Sequence, residues 1–152
     1  MLRHPAEPVC DECGADLAGT GTCSDVFHRM LAMEWEIPGA SGGMAHFYAV
    51  ASYQLQHPVA SRLSMDSLAR LRESVRVALG GAQIPALRER ARAGSRREGR
   101  VTRRDGDAIP SWGAVAWTTN VGEIVSAGVD GYETRVESWA ASVLDDLEIA
   151  QH

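Results

Sequence analysis

Apolar residues return every third or fourth position along most of this chain, and short polar or glycine-rich breaks cut that rhythm into segments. Val26, Met30, Met33 and Ile37 fall on one stripe, which predicts a helix over 24–37 capped by Ser24 or Asp25. The stretch PGASGG (38–43) is a breaker, and a second helix is predicted from Met44 to His57, stopped by Pro58. Two helices joined by about six residues ordinarily lie antiparallel, so 24–58 reads as a helical hairpin. A third helix is predicted over Met65–Leu79, with Ser64 as its cap and Leu68, Leu71, Val75, Ala78 and Leu79 facing inward. Pro85 suits the first turn of a short fourth helix that Gly94 ends. Residues 94–112 have no period and read as a mobile, arginine-rich loop, and AVAW (114–117) reads as a short extended piece. Asn120 with Glu123, and Asp130 with Glu133, are capping-box-like starts for two last helices. The second of these carries Tyr132, Val136, Trp139, Val143, Leu144 and Leu147 at helical spacing.

The pattern predicts a mainly α fold, a bundle of about six helices with an irregular N-terminal segment. Its 152 residues suit a single domain. The expected parts are a Cys-rich cap (1–23), the hairpin (24–58), further helices (64–93), the arginine-rich loop (94–112) and the C-terminal helices (113–150). Hydrophobic content of 45% and charged content of 23% are those of an ordinary globular chain. No apolar run approaches the roughly 20 residues that cross a bilayer, and the N-terminus lacks the layout of a secretory signal. A cytoplasmic location without membrane contact is the expectation. Apolar helix faces such as MLAMEW (30–35) leave room for a homodimer.

Charge is uneven. The segment 62–104 carries a net +8, the rest −13, for −5 in all. Eight arginines between Arg88 and Arg104 are enough to follow a nucleic-acid backbone through phosphate contacts. No aromatic residue is interleaved for stacking, which favours a solvated loop paired with the protein's own acids.

All three cysteines lie within fourteen residues, as Cys10-x-x-Cys13-Gly14 and then Cys23. In a reducing compartment such a cluster points to metal ligands rather than a disulfide, and three thiols would leave one unpaired. A two-residue gap lets both thiolates of a zinc knuckle reach one ion, and structural zinc takes four N or S ligands in a tetrahedron. A hairpin centred near residue 40 or 41 sets opposite each other residues whose numbers add to about 81. Cys23 is then level with His57, and Glu34 with His46. His46 and His57 are eleven residues apart, roughly 16 Å along a helix, so both cannot bind one ion. The expected set is Cys10, Cys13, Cys23 and His57, with His28 as the alternative fourth ligand. Four protein ligands close the site, so the zinc would be structural.

These residues also carry a resemblance. The run CxxCGA, then Cys23, Glu34, His46 and YQLQHP (53–58), resembles a family of uncharacterised small bacterial proteins known by a domain-of-unknown-function label. WAASVL after TTNVGEIV is similar to that family's last segment. The resemblance implies that the Cys/His set belongs together and implies no reaction. The family often adds a histidine near the start of the third helix, where SMDSLARL has none.

Glu34, His46, Tyr53 and Gln56 are the polar residues to test for a second site. His46, Val50, Tyr53 and His57 share a helix face, and a carboxylate that orients an imidazole can make it a general base. The plainer reading of the same residues is a hydrogen-bonded tie between two helices. A di-metal bundle site would need more histidines than the chain offers, since His4 and His152 lie at the ends. No nucleophile–base spacing or phosphate-binding glycine pattern appears. A small protein with a structural zinc site, acting as a binding or regulatory module, is the leading expectation. A hydrolase-like or metal-dependent enzyme centred on Glu34 and His46 is the alternative.

Overall fold

In the computed structural model, residues 8–98 and 101–151 are described, with only the backbone of 94–98. Among them are six helices: α1 (Cys23–Glu34), α2 (Met44–Gln56), α3 (Met65–Leu79), α4 (Ile84–Glu98), α5 (Val121–Ala127) and α6 (Tyr132–Ala150). No strand is formed among the described residues. Two isolated bridges occur, Val9 with Asp16 and Leu63 with Thr102, so 114–117 is irregular rather than extended in a sheet.

Helix α2 lies at the centre. Ala45, Ala49 and Ser52 are small and buried, and the helix packs most extensively against α6. Between α1 and α2 the backbones stand further apart because Phe27 and Tyr53 fill the gap, their rings stacked at 4.1 Å. The predicted stripe of α6 is the other wall of the core, with Val136, Trp139, Val143 and Leu147 at 1% exposure or less. Helix α3 packs on both α2 and α6, while α5 packs on α1.

The helix starts differ from the prediction in two places. Thr22 caps α1, two residues ahead of Ser24 and three ahead of Asp25; its hydroxyl accepts from the Asp25 amide while the Asp25 carboxylate accepts from the Thr22 amide. Asp25 is therefore the N3 partner of a capping box and not the cap. Gly131, not Asp130, caps α6 in the left-handed region (φ 72°), and no side chain caps it. The Arg135 guanidinium instead reaches back to the carbonyls of Ala127, Gly128 and Asp130 and holds that turn. Ser64 and Asn120 do cap α3 and α5, each accepting from the amide three residues on.

Helix α4 does not end at Gly94 but runs to Glu98, taking five residues from the predicted loop. A glycine in a helix interior costs only about 1 kcal/mol against alanine, and the alanines, arginines and glutamates around it are strong helix formers. The remainder of the loop is tied down. Ser64 N–H donates to Val101 O, Arg103 N–H to Arg62 O, and the Arg103 guanidinium to the carbonyls of Pro58, Val59 and Leu63. Trp112 Nε1–H donates to Leu55 O, and Trp117 Nε1–H to Glu12 O.

Candidate metal centre

The knuckle begins as a tight turn. Gly14 N–H donates to Cys10 O and Cys10 N–H to Ala15 O, both at 2.9 Å, and Gly14 takes φ 78°, which a side chain would disfavour. The turn leaves Cys10 half-buried and Cys13 buried at the end of the α1–α2 pair. Cys23 enters as the first residue of α1, directly after the Thr22 cap.

His57 comes from the opposite end of α2. Pro58 disfavours a helical conformation in the residue before it, so the helix stops and His57 takes φ −127°, ψ 62°. Its amide donates to Gln54 O, leaving Tyr53 O without its usual partner. The His57 side chain fills that vacancy, with Nδ1–H donating to Tyr53 O at 2.6 Å. Nδ1 therefore carries a proton, and Nε2 faces the sulfurs, 3.3 Å from Cys23 Sγ and 3.6 Å from Cys10 Sγ. The ring is further held by stacking on Tyr53 at 3.9 Å between centroids.

Cys13 Sγ and Cys23 Sγ are 3.7 Å apart, no disulfide is formed, and the four ligand atoms all lie within 4.8 Å of one another. Cys10, Cys13, Cys23 and His57 are thus close enough to hold a metal ion. The four side chains strongly perturb one another's protonation. Hydrogen bonds from Cys13 and Cys23 draw the Cys10 thiol far below its ordinary range, while the Cys10 and Cys23 sulfurs push Cys13 far above it. Burial opposes charge on His57, but its hydrogen bonds to Cys10 and Cys23 prevail and push it up to about 10.

His28 is exposed on α1 beside Phe27 and outside this cluster. His4 and His152 lie outside the described residues. No second group of metal-type ligands forms among the described residues.

At the other end of the pair, Glu34 and His46 also meet. His46 Nδ1–H donates to Glu34 Oε2 at 2.7 Å, and Tyr132 Oη–H donates to Glu34 Oε1 at 2.6 Å. Glu34 is 1% exposed, while the His46 side chain is 41% exposed. Burial first, then the Glu34 hydrogen bond and charge, hold the Tyr132 phenol far above its ordinary range, so it remains a donor. Tyr53 does not join them, because its ring lies between Phe27 and His57 at the metal end. Gln56 is also elsewhere, donating from Nε2 to Thr119 O. Tyr132 was missed as a site residue because an aromatic in an apolar stripe reads as core. The signal was its hydroxyl, which needs a partner when buried.

A family model described as a family of unknown function (DUF5946) matches residues 8–148, and the chain belongs to that family. No curated protein and no solved structure matches the chain.

Proposed function

We propose that this member of a family of unknown function is a binding module whose N-terminal knuckle is stapled to the helices by one structural zinc ion on Cys10, Cys13, Cys23 and His57. The spacing of the ligand atoms carries the reading. With Zn–S near 2.3 Å and Zn–N near 2.0–2.1 Å, a tetrahedral site has S···S edges of about 3.8 Å and S···N edges of about 3.5 Å. The edges here are 3.7 Å for Cys13–Cys23, 3.3 Å for Cys23–His57 and 3.6 Å for Cys10–His57. The donor chemistry fits as well: three soft sulfurs and an imidazole whose far nitrogen is tied to a carbonyl suit zinc. Four protein ligands leave no coordination position for substrate, so the ion holds structure. Two open clefts, of about 600 Å³ and about 390 Å³, give such a module somewhere to bind.

Elemental analysis of the purified protein tests this. One zinc per chain is expected, lost in Cys10→Ser and in His57→Ala. Full retention of zinc by His57→Ala reassigns the fourth ligand, and a metal-free parent that binds no added zinc removes the site.

The contact between His46 and Glu34 favours a second reading, an acid/base enzyme in which Glu34 orients His46. Turnover of any ester or amide panel member by the parent, abolished in His46→Gln, supports it.

A further inference from the structure

His46 opens onto the cleft of about 390 Å³ between α2, α3 and α4, within the roughly 300–1,000 Å³ span of small-molecule sites. Its floor and sides are apolar, including Phe47, Val50, Leu71 and Leu87. Two cationic-type side chains, His46 and Arg88, line it, and no carboxylate does among the described residues. That is unusual in a chain of net charge −5. Arg88 is exposed and makes no ion pair or hydrogen bond among the described residues.

His46 is fixed from behind. Its Nδ1–H is committed to Glu34, and Glu34 is itself fixed by Tyr132 from α6. The ring therefore presents its opposite edge, with Nε2, outward, where no partner among the described residues meets it. The group draws on α1, α2 and α6, and two of its three residues are at 1% exposure. Its product is one oriented imidazole at the mouth of an apolar hollow.

The geometry points to this cleft as a binding site for a free carboxylate with an apolar body. The ligand's carboxylate would accept from His46 Nε2–H and from the Arg88 guanidinium, and its hydrocarbon part would cover Phe47, Leu71 and Leu87. Glu34 would balance the second proton that His46 carries when it donates from both nitrogens. A neutral or amine-bearing molecule of the same shape would leave both donors without an acceptor. This rests on the binding-module reading but not on the metal, and the test leaves the cysteines untouched.

The test titrates octanoate, octan-1-ol and octylamine into the zinc-loaded full chain, by calorimetry and by NMR of the histidine ring nitrogens. Saturable octanoate binding that shifts the His46 nitrogens is expected, with the alcohol and amine weaker by about tenfold or more. His46→Gln, which keeps a donor for Glu34, and Arg88→Gln, at an exposed position, should each weaken octanoate by about tenfold. Zinc content and far-UV circular dichroism of the same samples separate loss of fold from loss of site. Equal binding of all three probes, no saturable shift at His46 up to millimolar octanoate, or undiminished affinity in both variants overturns the proposal.

Discussion

Glu34 is a carboxylate at 1% exposure whose two oxygens each accept one strong hydrogen bond, from Tyr132 and from His46. Burial of a charge is tolerable only with such pairing. Tyr132→Phe removes one donor and leaves Glu34 Oε1 exposed to an apolar wall, so a loss of about 1–3 kcal/mol is expected in urea unfolding. Combining it with Glu34→Gln should cost less than the sum of the two single changes, because the second change removes the charge that the first had stranded. Additive costs would show that the two side chains do not share one interaction. The Glu34–His46 and Cys23–His57 pairings were legible in the sequence from the hairpin register alone. In the structure, Glu34 with His46, Cys23 with His57, and Phe27 with Tyr53 all pair at numbers adding to 80, one away from the expected 81. Tyr132 was not legible, since α6 and α1 are distant in sequence and no spacing relates them.

Helices were legible wherever an apolar stripe and a cap coincided, as in α3, whose bounds match the prediction. Ends were less so, because a cap is chosen by the turn before it. At α1 the box formed by Thr22 and Asp25 has a consequence in acid. Hydrogen bonds from the Thr22 amide and then its hydroxyl hold the Asp25 carboxyl below its ordinary range. A lowered folded value means that the stabilisation is present above the unfolded value near 4 and fades as pH falls through the folded one. The stability difference between the parent and Asp25→Ala should therefore be present at neutral pH and shrink below about pH 4, read by thermal melts across pH. A difference independent of pH would mean that the carboxylate's charge plays no part. Thr22→Ala should cost about 1 kcal/mol at neutral pH, the usual value of a hydroxyl cap, and less in acid, because the hydroxyl also helps lower Asp25. The fate of Gly94 shows the opposite limit: a single glycine is too weak a breaker to stop α4.

For the whole molecule, the proposed zinc would be the dominant tie. Structural zinc contributes on the order of 10–16 kcal/mol of binding free energy, comparable to the roughly 5–15 kcal/mol that separates a folded domain from its unfolded chain. The helices it would join would not all depend on it to the same degree, since α2, α3 and α6 also pack on one another. Chelation is expected to expose amides of 8–22 to hydrogen exchange first, followed by those of 112–118, while the α2–α6 interface exchanges slowly. Uniform protection with and without chelator would show that the knuckle stands without an ion. The joining of segments so far apart in sequence could not be read from periodicity, because irregular chain such as 101–117 carries no period to read.

The two residues between Cys10 and Cys13 have a further use. The Glu12 carboxylate accepts from the amides of Val59 and Ala60, while its carbonyl accepts from the indole of Trp117. A fluorophore is thereby hung directly on the turn that grips the cluster, and its emission should redden when that turn lets go. Trp112 and the buried Trp139 emit beside it, and Trp35, at 80% exposure, is the solvent-exposed background against which the change must be seen. Replacing Trp35 with phenylalanine would give the chain a built-in optical gauge of how its N-terminal turn is loaded.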